Sequence, residues 1–149
     1  EAVSRGLVFG QTRGLYRLPT EIEWEWAAAG REPGGGLREY PWSPDKGGPT
    51  HKVKLAKGFP PYCYDIQIVT RPVGHYPNWA TPEGLMDMAG NVSEWMQNWY
   101  NEDKNVRSLR GGSRVEEGEA AANSCRARDA MPPHVHSRRV SFRVVRSQS

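Results

Sequence analysis

Apolar residues along the chain gather in short clusters rather than in long periodic runs. One window has helical spacing: Trp24, Ala27 and Ala28 share a face, Thr20 and Glu23 form a capping-box pair, Pro19 precedes them and Gly30 ends the pattern. A helix over Thr20–Ala29 is predicted, with Trp24 and Trp26 as core anchors. Alternation at period two predicts strands over Val106–Arg110 and Val140–Val145, and more loosely over Ile66–Val73 before a turn at Gly74. Leu7-Val8-Phe9 suits a strand edge or the end of a preceding helix, and its Gly10 and Gly14 flanks favour a loop. The Gly- and Pro-dense stretch Arg31–Gly58 is predicted to be loop, with Tyr40-Pro41-Trp42 pinned into the core. Glu94–Tyr100 reads as a short helix or irregular turn, and Gly111-Gly112 as a sharp turn or close backbone approach. Arg114–Arg139 has no clear period.

Composition narrows the class. At 149 residues the chain is expected to form one domain with its own core. Sixteen Gly, 12 Pro and 6 Trp imply many turns held by large aromatic anchors. A formal charge of +3 is too small a surplus to point to nucleic acid without a concentrated patch. No apolar run reaches the length of a membrane span and no charged-then-apolar leader pattern is present, so the chain reads as soluble, with its compartment open. Gly34-Gly35-Gly36 lacks the flanking strand, helix and Lys-Ser/Thr of a phosphate cradle. Cys63 and Cys125 are too few for a zinc site or a disulfide framework.

The densest chemistry lies in Asp87-Met88-Ala89-Gly90-Asn91-Val92-Ser93-Glu94-Trp95. Two carboxylates, an amide and a turn-forming glycine at this spacing suit a hard cation that takes side-chain and main-chain oxygens. The same residues also suit a turn and a short helix capped by Asn91 or Ser93, with Glu94 solvated.

Taken with its neighbours, Gly84-Leu85-Met86 through Trp95 resembles the signature of the formylglycine-generating enzyme (sulfatase-modifying factor) family. Further blocks occur in the family's order: Tyr16-Arg17-Leu18-Pro19-Thr20-Glu21 running on to Gly30, Tyr40-Pro41-Trp42, Arg71-Pro72-Val73-Gly74, Leu109-Arg110-Gly111-Gly112-Ser113 and Ser141-Phe142-Arg143-Val144-Val145. The resemblance runs from about Tyr16 to Val145. It implies an α+β, formylglycine-generating-enzyme-like variant of the C-type lectin fold, with short antiparallel strands, few helices and much ordered loop. It also implies one calcium ion held by the carboxylates of Asp87 and Glu94 and the main-chain carbonyls of Gly90 and Val92. A second metal site is not expected, because His51-Lys52-Val53-Lys54 stands where relatives have an asparagine-led loop. Relatives also carry an N-terminal part before the Tyr16 block, so a shortened version or an excerpt of a longer protein is expected.

Catalytic relatives bind copper through cysteines at the third and eighth positions after the serine of the Gly-Gly-Ser turn. Here those positions hold Glu116 and Ala121. Copper(I) prefers thiolate, which neither residue supplies, so copper is not expected. Cys125 reads either as a small buried residue or as a thiol activated by Arg126. His134-Val135-His136 can place two imidazoles together, and with His75 or Cys125 they suit a transition metal; Pro132-Pro133 and Arg138-Arg139 around them point instead to an exposed loop. Glu116 and Glu117 are adjacent and point apart in extended chain, so they form no acid–base pair.

The same fold resembles the scaffold of variable proteins diversified by retroelements, whose side chains change between the Gly-Gly-Ser turn and the last strand. The expected function is non-catalytic binding of a protein or other macromolecular ligand through residues 114–141. Arg114, Glu116, Glu117, Asn123, Arg126, Arg128, His134, His136 and Arg138 are the candidate contact residues. The competing expectation is an oxidoreductase, or a pseudoenzyme subunit, of the formylglycine-generating type.

Overall fold

A computed structural model describes residues 15–31, 35–42, 70–112 and 124–147. Arg114, Glu116, Glu117, Asn123, the Leu7–Phe9 cluster, Cys63 and most of the Ile66–Val73 stretch lie outside the described residues. Strand β1 (Leu15–Arg17) leads into helix α1 (Glu21–Ala29). After a 3-10 turn at Pro77–Trp79 come β2 (Ser93–Trp99), β3 (Arg107–Arg110), β4 (Asp129–Met131), β5 (Val140–Ser141) and β6 (Val145–Ser147). One sheet has the order β4-β3-β2-β5, antiparallel except for the parallel β2–β5 pair; β1 and β6 pair antiparallel in a second, two-stranded sheet.

Helix α1 begins and ends as its residues dictate. The Thr20 hydroxyl accepts from the Glu23 N–H while the Glu23 carboxylate accepts from the Thr20 N–H, which satisfies two otherwise orphaned donors. Gly30 closes the helix, its N–H donating to the Trp26 carbonyl. Arg17 clamps the Glu23 carboxylate from β1, and this hydrogen bond, more than any other cause, holds the carboxyl well below its usual range, at about 2. Because the folded-state pKa is depressed, the stabilisation is present above the unfolded value of roughly 4.3 and is lost as pH falls through about 2. Melting curves between pH 2 and pH 6 are therefore expected to lose part of their acid dependence in Glu23→Gln.

Trp24 is buried, as its spacing predicts, whereas Trp26 is 57% exposed. Two residues apart on a helix are nearly opposite, so both rings cannot enter one core; Trp26 instead lies beneath the Arg31 guanidinium. Trp24, Ala28 and Ala29 pack with Met88, Met96 and Cys125 to form the core. Pro41 and Trp42 are buried and Tyr40 stacks on Trp42, as expected of that tripeptide.

The largest departure from the sequence reading is at Ser93–Trp99, which is strand rather than helix or turn. Its Glu94 and Met96 are buried toward α1, Trp95 lies on the other face, and a bulge between Trp95 and Trp99 shifts the register against β3. The expected final strand is likewise interrupted. Val140–Ser141 pairs with β2, Val145–Ser147 pairs with β1, and the three residues between them cross from one sheet to the other. No strand forms at Thr70–Val73, but the turn at Gly74 is present.

Candidate functional site

The Asp87–Glu94 loop is shaped by left-handed backbone at Asp87, Gly90 and Asn91. Asn91 fastens it to the preceding segment by accepting from the Arg71 N–H and donating to the Arg71 carbonyl. The Asp87 carboxylate accepts from the Gly74 N–H at 2.7 Å. Gly90 donates to the Gly111 carbonyl, which ties this loop to the Gly111-Gly112 turn. Gly111 has φ 89°, a backbone conformation that favours glycine, and a Cβ there would sit in ordinary contact with the Trp24 ring.

Glu94 is nearly buried, and both of its oxygens are engaged from within the chain. Arg143 donates to them through Nε and Nη2, each at 2.6 Å, and the Trp24 indole N–H donates to Oε2 at 2.7 Å. The same guanidinium reaches the Met86 and Asp87 carbonyls. The Gly90 carbonyl accepts from the Val92 N–H. In this arrangement the Glu94 carboxylate, one of the four ligands that the resemblance implies for an ion, is held by the Arg143 guanidinium. Among the described residues no three His, Cys, Asp or Glu side chains converge as a metal group.

A buried ionic network joins β3 to α1 and to residues 125–128. Arg110 donates to Glu21 (3.2 Å) and Glu25 (2.8 Å) on α1 and to the Cys125 and Ala127 carbonyls. Arg128 adds a second cation to Glu21 and lies over the Tyr100 ring. Burial pushes the Glu21 carboxyl up, but the hydrogen bond from Arg128 and the charges of Arg110 and Arg128 outweigh it and hold the carboxyl low. Arg128, a sequence candidate for ligand contact, is thus committed to the frame. Glu21 and Glu25, one helical turn apart, were the signal for a shared cation.

Cys125 is a packed core residue. Burial pushes its thiol up to about 12, with the Arg38 charge opposing only in part. The activated-thiol alternative is thereby corrected: Arg126 is exposed and does not shift it. In a Cys63→Ser background, iodoacetamide at pH 8 is expected to leave the folded protein unlabelled and to modify Cys125 only after denaturation, as read by mass spectrometry.

Arg126, His134, His136 and Arg138 are all exposed. His136 and Arg138 meet at a cavity of about 480 Å³ that is also lined by Trp95, Val135, Ser137 and Val140; Arg126 and His134 lie outside its lining. Sequence reading missed Trp95, because the segment was not expected to be a strand whose alternate face points outward. No helix among the described residues is long and apolar enough to cross a membrane.

The family model of the sulfatase-modifying factor enzyme 1-like domain matches residues 3–148. The inactive C-alpha-formylglycine-generating enzyme 2 of Bos taurus is 39% identical over 111 residues, which cover 72% of this chain and 35% of that protein. The formylglycine-generating enzyme of Mycobacterium tuberculosis is 42% identical over 83 residues, 53% of this chain and 26% of that protein. Among solved structures, Treponema denticola variable protein 1 superposes with a TM-score of 0.62 at 28% identity, covering 89% of this chain and 48% of the other. The chain therefore spans half or less of the length of these relatives. It belongs to the sulfatase-modifying factor enzyme 1-like domain family, and its α+β fold is the formylglycine-generating-enzyme-like variant of the C-type lectin fold.

Proposed function

We propose that this chain is a non-catalytic ligand-binding module of the retroelement-diversified variable-protein type, presenting residues 114–141 to a macromolecular partner. The observation that carries this reading is the contrast between frame and face. Leu109–Gly112 and Arg143 hold the frame through Gly90, Glu21 and Glu94, while the positions that supply copper thiolates in catalytic relatives hold Glu116 and Ala121. Exposed Arg126, His134, His136 and Arg138 stand on this frame without engaging it by side-chain hydrogen bonds or ion pairs to the described residues. Rigid scaffold beneath polar, adaptable side chains is the arrangement that suits recognition. The structural likeness to a variable protein and the sequence likeness to an inactive bovine relative support binding over oxidation.

The test is selection of peptides from a displayed random library on the wild-type module. Peptides so obtained are expected to lose binding to the variant Arg126→Ala, His134→Ala, His136→Ala, Arg138→Ala while the melting temperature stays within about 2 °C, since exposed substitutions have small effects. Equal binding to that variant, or conversion of a cysteine peptide to formylglycine with stoichiometric copper, contradicts the reading.

Calcium enters the proposal in a definite form: an ion at Asp87, Gly90, Val92 and Glu94 competes with Arg143 for the Glu94 carboxylate. A ligand bound only by the folded state raises stability by mass action. Calcium is therefore expected to raise the melting temperature relative to chelator, and to do so at lower concentration in Arg143→Gln. Unchanged melting of both proteins with and without chelator rejects the site.

A further inference from the structure

The cavity beside Trp95 lies between the sheet and the turns that lead into β5. Ser93 pairs with Val140 in the parallel β2–β5 ladder, and the Ser93 N–H donates to the Arg139 carbonyl at 2.8 Å. The chain leading into β5 is folded by two successive turns, with the Val135 N–H on the Pro132 carbonyl and the Arg139 N–H on the Ser137 hydroxyl. These bonds fix the rim against β2. Trp95, pointing away from the buried Glu94 and Met96, forms a half-buried aromatic wall opposite Val135 and Val140, and His136 and Arg138 supply the polar edge. At about 480 Å³ the space admits one or two side chains of a bound segment.

The chain segment that supplies most of the cavity lining carries charge of one sign. From Ala130 to Ser147 the sequence contains His134, His136, Arg138, Arg139, Arg143 and Arg146 and no Asp or Glu. Arg143 is neutralised by Glu94, whereas no described carboxylate pairs with Arg138 or lines the cavity. An aromatic wall beside an unneutralised guanidinium favours an apolar ring next to a carboxylate.

We propose that the cavity between Trp95 and the 135–140 turn is a binding pocket for an acidic peptide segment of a protein partner, taking an aromatic side chain against Trp95 and an adjacent carboxylate on Arg138. This rests on the binding-module reading and names the partner's chemistry at that face. The probe is the peptide acetyl-Asp-Phe-Asp-amide, with acetyl-Asn-Phe-Asn-amide as its neutral counterpart, titrated into nitrogen-15-labelled protein. The Trp95 indole resonance is assigned with Trp95→Phe. Saturable shifts are expected at that indole and at the amides of residues 135–140. The apparent Kd is expected to weaken roughly two- to fivefold for Arg138→Ala, for the neutral peptide, and at high salt. Arg138 is exposed, so the variant keeps the fold and its spectrum verifies this. Absence of saturable shifts, equal affinity for the neutral peptide or for Arg138→Ala, or tighter binding of a heparin fragment or an oligonucleotide at the same residues overturns the assignment. If library-selected peptides still bind through Arg126 and His134 in that event, the pocket is refuted and the module reading stands.

Discussion

Replacing Arg143 with alanine is expected to destabilise the fold by about 3–5 kcal/mol, a fall of roughly 10 °C in melting temperature for a chain of this size. The Glu94 carboxylate is only 7% exposed and would keep a single donor, the Trp24 indole. An ionised carboxylate left in that position loses its paired charge without regaining water, which is why breaking one side of a buried pair costs more than the pair contributes. The effect reaches beyond one residue. Arg143 also donates to the Met86 and Asp87 carbonyls, so its loss frees the loop that precedes β2 and the crossover between the two sheets. Arg143→Lys keeps the charge but not the two-pronged geometry, and is expected to recover less than half of the loss. Thermal melts of the three proteins check this directly.

Arg110→Ala is expected to cost about 3 kcal/mol or more, again because carboxylates that it compensates stay behind. Its side chain is 3% exposed and joins Glu21 and Glu25 on α1 to the Cys125 and Ala127 carbonyls. Arg110 precedes the turn that opens the 113–123 segment, and Cys125 follows the segment's end. The described residues on either side of positions 113–123 therefore meet at one guanidinium. Hydrogen exchange in Arg110→Ala should accelerate first at Cys125 and Ala127, before the amides of β2. A variant that unfolds in one step, with β2 and the Cys125 region exchanging together, would show that the clamp is not a separable part of the frame.

Much of this architecture was legible in the residues. Thr20, Glu23 and Gly30 mark α1 because capping is local chemistry, and Gly111-Gly112 mark a turn because that backbone conformation favours glycine. The Ser93–Trp99 strand was missed because its evidence is non-local. The aromatic density of Trp95, Trp99 and Tyr100 is compatible with several backbones, and only pairing with β3 and β5 selects one. The Val140–Val145 alternation was read as one strand, yet β2 and β1 compete for its two ends and Arg143 is pulled between them to Glu94. The candidate contact residues separate for the same reason. Arg128 sits near a helix carboxylate and joins the frame, whereas His136 and Arg138 follow turns that leave them at the cavity rim.

The most direct measurement is hydrogen–deuterium exchange of the module alone and saturated with a library-selected peptide. Protection is expected within residues 114–141 and at the Trp95 region of β2, with the exposed side of α1 around Ile22 and Trp26 unchanged. Protection on α1 or on residues 70–87, with none between 114 and 141, would place recognition on another surface and contradict the binding-face reading.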